Sequence, residues 1–489
     1  MTNIYMYLVS GFAAIGGLLF GYDIGVISGV IEDAQFIKLF GMTIAIKSMV
    51  VSTLVAGCFI GALFAGWLAD KIGRKMSIMI SSAVFTIGAT IQTFSYNITF
   101  MYIGRFVAGL SIGLLSMAVP LYQSELADPA IRGRLVSLQQ WAITIGIALS
   151  FWTNYLCNKF MSGENTWRLP LGLQTIPAII LFVGCFFMPY SHRWLISVGR
   201  ESEGLSALAR LRTNGDIHHP RVLEEFNEVK EIINNEHEIE QSSYSDLFTG
   251  SILRRTLLGI FIQAFQQLTG INSVMFYAPL IFKQAGFGHQ AVLLAAAING
   301  IVNVVSTIPA ILYVDQWGRR KTLMAGAIIM GIGMGTVGVV MATFGSITKV
   351  NGEVEVKMNQ VASYSVIVFI YIFVAGFAFS WGPIAWIYPG EIFPMRVRSK
   401  GTSLTTASNW GFNYLVSSCS PFLMDSITWG LYIIFSCFCA IMTIAIYFFY
   451  PETRGYSLEE IDTLFNQGVS ACNPISIRDY PNTKMNMKE

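Results

Sequence analysis

Charge is what this sequence has least of: Asp, Glu, Lys and Arg make up 12% of its 489 residues, whereas soluble domains carry about a quarter. A soluble globular protein is therefore excluded. With 54% hydrophobic residues, the chain is expected in a bilayer as helices. Its net charge of +2 leaves no basic surface for nucleic acid. Histidine occurs five times. The seven cysteines (58, 157, 185, 419, 437, 439, 472) fall mostly inside apolar runs without paired spacing, so neither a metal set nor a disulfide framework is expected. No nucleophile constellation or cofactor loop is present either, and the chain is not expected to be an enzyme or to need a cofactor or metal. A cleavable leader is not expected, because the first apolar stretch runs on into GGLLFGYD as a span.

What is present is apolar length. About 20 helical residues cross a bilayer core, and such runs recur twelve times, at 7–30, 47–69, 76–95, 100–124, 135–157, 169–188, 253–284, 289–313, 321–345, 359–388, 399–423 and 428–450. The expected fold is all-α and integral to the membrane, with twelve transmembrane helices in two pseudo-symmetric six-helix halves (1–188 and 253–450). Between them, 189–252 is polar with alternating charge and reads as short amphipathic helices. A short polar tail follows from 451 to 489. Twenty of the 31 lysines and arginines lie in or beside the even-numbered connections and at Arg454, which predicts that both termini and the central segment are cytoplasmic.

The two halves also repeat their charged residues. GWLADKIGRK (66–75) follows span 2 and YVDQWGRRK (313–321) follows span 8, so that Asp70 precedes Arg74, and Asp315 precedes Arg319, by the same four residues. After spans 4 and 10, Glu125 precedes Arg132 and Glu391 precedes Arg398 by seven. Parallel repeats related by an axis along the membrane normal are a common plan for secondary transporters.

Polar side chains inside the spans are the candidates for function. FQQLTGINSVMFYAP (265–279) places Gln266, Gln267 and Asn272 in an apolar run with no charge beside them. An unpartnered buried amide costs roughly 2 to 7 kcal/mol, so something polar must face them, either another helix or a polar substrate. Gln140, Asn303, Trp386 and Asn409 fall at similar depth. Amides exchange hydrogen bonds with hydroxyls and an indole covers an apolar C–H face, a combination suited to a neutral polyhydroxylated ring. Asp23 in span 1 and Arg105 in span 4 are the strong acid and base well inside the first half. Intramembrane charges are expensive and are usually paired or functional. The two readings are a static salt bridge and a proton-responsive pair.

These motifs, with GGLLFGYDIGVISG (16–29), WGPIAW (381–386), YPGEIFP (388–394) and PETRG (451–455), resemble the sugar porter family of the major facilitator superfamily over about residues 10–461. YQSELADPAIRGRLVSLQQWAITIG (122–146) resembles the fungal monosaccharide transporters. The resemblance implies alternating access for a monosaccharide, a hexose such as glucose. It further implies sugar contacts at Gln140, Gln266, Gln267, Asn272, Asn303, Trp386 and Asn409, and proton coupling through Asp23 and Arg105. It also implies that Asp70, Arg74, Glu125, Arg132, Asp315, Arg319, Glu391 and Arg398 form a gating network between the halves. Trp410 and Asn413 are open between sugar binding and helix packing. A sugar uniporter and a transporter-like sensor are the alternative functions. The expected partners are a sugar, protons and the bilayer, most simply that of the plasma membrane. The family's PESPRWL reads PYSHRWL (189–195) here, so Tyr190 replaces an acid and a weaker charged corner is expected.

Overall fold

In the computed structural model, which describes residues 4–128, 131–237, 243–350, 353–456, 461, 462 and 465, the chain forms twelve spans in two halves of six. Most of the tail expected after residue 451 lies outside the described residues. The first half comprises span 1 (Ile4–Ala13 and Ile15–Val30), span 2 (Ile44–Ile72), span 3 (Arg74–Thr93), span 4 (Ile98–Leu126), span 5 (Arg132–Phe160) and span 6 (Asn165–Leu173 and Thr175–Cys185). The second comprises span 7 (Gly250–Leu268 and Ile271–Gln284), span 8 (His289–Trp317), span 9 (Arg319–Phe344), span 10 (Gln360–Phe379 and Trp381–Ile392), span 11 (Arg398–Ser426) and span 12 (Gly430–Phe449).

Among the described residues, ten of these are long and apolar enough to cross a membrane by composition alone. The other two are spans 7 and 11. Span 7 is broken at Gly270, which adopts the left-handed conformation (φ +87°) that disfavours any residue with a Cβ. A Cβ there would also come within 2.4 Å of the Phe435 ring. Span 11 buries Ser399, Thr402, Ser403, Thr405, Thr406, Asn409 and Asn413. So polar a helix can sit in a bilayer only when protein surrounds it.

Helix packing repeats with a shift of six spans. Span 1 packs on span 5 as 7 does on 11, 2 on 4 as 8 on 10, 3 on 4 as 9 on 10, and 3 on 6 as 9 on 12. The halves meet along two equivalent seams, span 2 against span 11 and span 5 against span 8. Gly73 and Gly318, the motif glycines of the two halves, share one backbone conformation (φ +86° and +85°) at the sharp turns into spans 3 and 9. Side chains such as Phe64, Val361 and Phe187 stay exposed on the outer flanks, as lipid contact requires.

The central segment forms helices His192–Ser197, Glu201–Thr213 and Pro220–His237 and a 3-10 turn at Tyr244–Phe248. It docks by capping span ends, whose last carbonyls have no partner within their own helix. The Trp194 indole N–H donates to the Asp70 carbonyl at 2.9 Å. Arg212 donates to the carbonyls of Leu126 (2.9 Å) and Ala127 (3.4 Å) while Glu225 holds its guanidinium. The face bearing this segment is called the linker face below.

One element departs from the all-helical expectation. On the opposite face, Ser346–Val350 and Glu353–Lys357 pair as an antiparallel hairpin in which Ser346 faces Lys357 and Val350 faces Glu353. The sequence signal was Asn351-Gly352 ahead of an alternating Val-Glu-Val run.

Candidate functional site

The site begins with two helix breaks. Span 7 stops at Leu268 and restarts at Ile271. Span 10 stops at Phe379, and Ser380 takes φ −127°, ψ −85° before Trp381 restarts the helix. Each break frees backbone groups in the membrane interior, where they must find partners. Gln266 Nε2 meets the carbonyls of Trp381 (2.9 Å) and Gly382 (3.2 Å), and Gln263 Nε2 meets that of Ala385 (2.8 Å).

From there a closed amide network crosses to span 11. Asn409 Nδ2 donates to Gln263 Oε1 and to Gln266 Oε1, both at 2.6 Å. Gln267 Nε2 donates to Asn409 Oδ1 at 2.9 Å, and Asn272 Nδ2 to Gln267 Oε1 at 2.7 Å. Four of the expected substrate residues, Gln266, Gln267, Asn272 and Asn409, are therefore joined directly. Gln263 is a fifth member that the sequence reading passed over. Its signal was spacing: it lies three and four residues before Gln266 and Gln267, on the same face of the helix.

The remaining candidates surround this network. Gln140 of span 5 abuts Gly382, and its Nε2 would lie 3.0 Å from a Cβ placed there. Span 5 of the first half therefore closes against the break in span 10. Asn303 of span 8 is buried with its Oδ1 unpartnered, and so is that of Asn299 one turn earlier. Trp386 keeps 7% exposure on the second segment of span 10. Trp410 is fully buried, with its indole N–H on Ser116 Oγ (3.0 Å) and its ring 4.9 Å from Phe20. These contacts give it a packing role between the halves. Both amide atoms of Asn413 are buried without a partner. Each such orphan costs about 1 to 3 kcal/mol unless a water or a polar ligand meets it, so the interior retains unused hydrogen-bonding capacity.

Within the first half, Arg105 Nη1 binds both carboxylate oxygens of Asp23 at 2.9 Å, and its Nε donates to the Val50 carbonyl at 3.2 Å. Both side chains are 0% exposed. Span 7 leaves helical geometry at Tyr277 (φ −117°, ψ 20°), ahead of Pro279.

The charged repeats form two matching clusters at the linker face. Arg74 pairs with Glu125 (2.8 Å) and Asp70 (3.4 Å) and caps the Ala69 carbonyl. Arg319 pairs with Glu391 (2.6 Å) and Asp315 (3.0 Å) and caps that of Val314. These pairs lie within their own halves. The aspartates also reach across: Asp70 Oδ2 accepts from Ser399 Oγ at 2.6 Å, and Asp315 Oδ2 accepts from the Arg134 backbone N–H at 3.2 Å. Ser399 and Arg134 stand at the starts of spans 11 and 5, where a carboxylate is favoured by the helix dipole. Arg132 and Arg398 are buried at the first residues of those helices, and Arg398 Nε donates to the Phe393 carbonyl. Glu452 of PETRG, to which no role was assigned, receives the backbone N–H groups of Arg319 (2.7 Å) and Arg320 (3.0 Å).

Tyr190 does not leave its corner empty. It stacks on Trp194 at 5.6 Å, with the Lys75 ammonium 4.8 Å and the Arg200 guanidinium 5.5 Å from its ring. The π-face offers the cations an attraction that the missing acid would otherwise supply.

Against known proteins, the profile of the family described as Sugar (and other) transporter matches residues 9–465. The glucose transporter mfs1 of Aspergillus flavus, of the major facilitator superfamily, is 37% identical, the alignment covering 96% of this chain and 92% of that one. The proton:xylose symporter XylE bound to 6-bromo-6-deoxy-D-glucose is 28% identical and superimposes with a TM-score of 0.83 over 95% of this chain and all of the other. The inward-open conformation of XylE from E. coli, at 27% identity, scores 0.72 over 94% of this chain and all of that one.

Proposed function

The chain belongs to the sugar (and other) transporter family, and from that premise we propose that it moves a hexose such as glucose by alternating access coupled to protons. The observation that carries this reading is the amide network of Gln263, Gln266, Gln267, Asn272 and Asn409, held at the breaks of spans 7 and 10. Hydroxyls can share its hydrogen bonds, Gln140, Asn303 and Asn413 bring further amides from other spans, and Trp386 supplies a flat apolar face. The glucose named for the Aspergillus relative and the proton and xylose named for XylE support the substrate class and the coupling.

The lysine and arginine distribution supports a cytoplasmic linker face with both termini on that side. The cross-half contacts of Asp70 and Asp315 then close the cytoplasmic exit. They sit at a partly wet surface, where individual polar contacts are weak enough to bias the equilibrium between two faces without freezing it. A proton taken up by the Asp23 carboxylate cancels the charge that Arg105 pairs with. The arginine, still bonded to Val50, is then free to reorient.

Purified protein in liposomes tests the proposal through labelled-glucose uptake with and without an inward proton gradient. Accumulation above the outside concentration, collapsing with a protonophore and lost in Asp23→Asn while sugar exchange persists, is the expected result. Equilibration to one level whatever the gradient would make the protein a uniporter, a reading favoured by the complete burial of the Asp23–Arg105 pair as a static bridge. Binding without uptake would make it a sensor.

A further inference from the structure

On the outer flank of spans 7 and 12 runs a groove of about 560 Å³. Leu253, Leu257, Phe261 and Phe265 form its wall as one i, i+4 stripe along span 7, and Ala445 and Phe449 face them from span 12. Phe261, Leu257 and Phe449 are exposed, so the groove opens sideways into the bilayer rather than toward the sugar site. The twelve residue steps from 253 to 265 rise about 18 Å, close to the ~15 Å that is half of a hydrocarbon core. The groove is therefore one leaflet deep, on the linker side. Among the described residues that line it, the cation at its rim is Arg254, half-buried and with its guanidinium 5.7 Å from the Phe465 ring. Its floor is tied by the Tyr450 hydroxyl, which donates to the Leu258 carbonyl at 2.9 Å.

The geometry points to a site for an anionic phospholipid of the linker-side leaflet, with one acyl chain along the Leu253 to Phe265 stripe and the headgroup phosphate at Arg254. At this depth and on this flank the available apolar chains are those of lipid. A basic side chain beside an anionic surface contributes a preference of about fivefold, or about 1 kcal/mol. The deep end of the groove touches the sugar site from behind. The Phe265 ring meets Trp381 edge-on at 6.4 Å, and the next residue, Gln266, donates to the Trp381 and Gly382 carbonyls. A filled groove thus braces the span 10 break that positions the amide network. This second consequence rests on the transport reading; occupation by lipid does not.

The test uses the full chain in liposomes of phosphatidylcholine with a minor share of phosphatidylserine, one or the other carrying a photoreactive acyl chain, followed by peptide mapping. The serine lipid is expected to label the span 7 and span 12 peptides about fivefold more than the choline lipid. Arg254→Gln is expected to abolish the preference and Ala445→Phe, which fills the groove, the label itself, both variants keeping the elution profile of the parent protein. Equal labelling by the two lipids overturns the site in favour of an unspecific lipid shell. A groove without lipid label that instead crosslinks to segment 466–489 overturns it in favour of self-docking. In the same liposomes the KM for glucose is expected to fall with serine lipid in the parent and to stay constant in Arg254→Gln. Preferential labelling with an unresponsive KM removes the bracing role. Preferential labelling without uptake in any lipid leaves the lipid site standing and removes the transport reading.

Discussion

Asp70 and Ser399, 329 residues apart and in opposite halves, meet at 2.6 Å, and the first half's carboxylate thereby accepts a hydrogen bond at the start of the second half's span 11. Asp315 makes the equivalent contact on Arg134 at the start of span 5. The ion pairs of Arg74 with Glu125 and of Arg319 with Glu391 stay within their halves and hold the aspartates in place.

Removing the cross-half acceptors therefore opens the linker face. At this partly wet surface each contact contributes up to about 1 kcal/mol, so Asp70→Ala combined with Asp315→Ala is expected to shift the balance between the faces by about tenfold. In a cysteine-free background, a cysteine at Ile147 then reacts faster with a membrane-impermeant reagent applied from the linker side. An unchanged rate would show that the seams of spans 2 with 11 and 5 with 8 hold the face shut by themselves.

Gln263 is expected to matter for sugar affinity although it was absent from the sequence candidates. Gln263→Ala leaves the Ala385 carbonyl unpaired and Asn409 Nδ2 with one acceptor fewer. Losing such buried partners costs about 1 to 3 kcal/mol, roughly a 5- to 150-fold rise in the dissociation constant for glucose, measurable by calorimetry. A variant that binds glucose like the parent removes Gln263 from the site.

At the Tyr190 corner, the ring replaces a charge. Tyr190→Phe keeps the π-face and is expected to be neutral, whereas Tyr190→Ala loses the stack on Trp194 and the two cation contacts, about 1 to 2 kcal/mol. Tyr190→Glu restores an ion pair, so its melting temperature should fall with added salt while that of the parent changes little. Equal salt sensitivity in the two proteins would contradict this account.

Acid is expected to loosen the central segment through His192. This imidazole is fully buried with neither nitrogen partnered. Burial first, then the charges of Arg193 and Arg212, hold its pKa well below the ordinary 6.5. The unfolded chain therefore binds a proton that the folded segment refuses. Stability is full above pH 6.5 and falls by up to about 1.4 kcal/mol per pH unit below it, until the depressed pKa is reached. Amide exchange across 192–213 should accelerate as pH drops from about 7 to about 5, after correction for intrinsic rates, and His192→Leu should flatten the dependence. A parent protein without acid sensitivity would mean that the histidine is not confined as described.

Much of the fold could be read along the chain. The spans lie within a few residues of their expected bounds because bilayer thickness and the need to satisfy every backbone group act locally on sequence. Span 7 carries a Thr-Gly step at 269–270 and span 10 a Gly-Pro pair at 382–383, residues that loosen or interrupt a helix. The break in span 10 falls at Ser380 because Pro383 has no N–H to offer the Phe379 carbonyl four residues before it, and just past the break the Trp381 and Gly382 carbonyls accept from Gln266. The hairpin opposite the linker face does not stand out in the sequence because its strands are short and flanked by apolar runs.

The sequence by itself determined the twelve spans, the two repeated halves, the paired charged motifs and the presence of amides where hydrocarbon would be expected. Each of these follows from constraints that act over a turn or a span. Only the tertiary structure decided which amide bonds which, that Gln263 belongs among them, that Trp410 is committed to packing, and that Asp70 and Asp315 reach across while their arginines do not leave home. Most of those choices depend on distances of a few ångströms between residues more than a hundred positions apart. Such distances are set by how the helices pack, not by what any one helix contains.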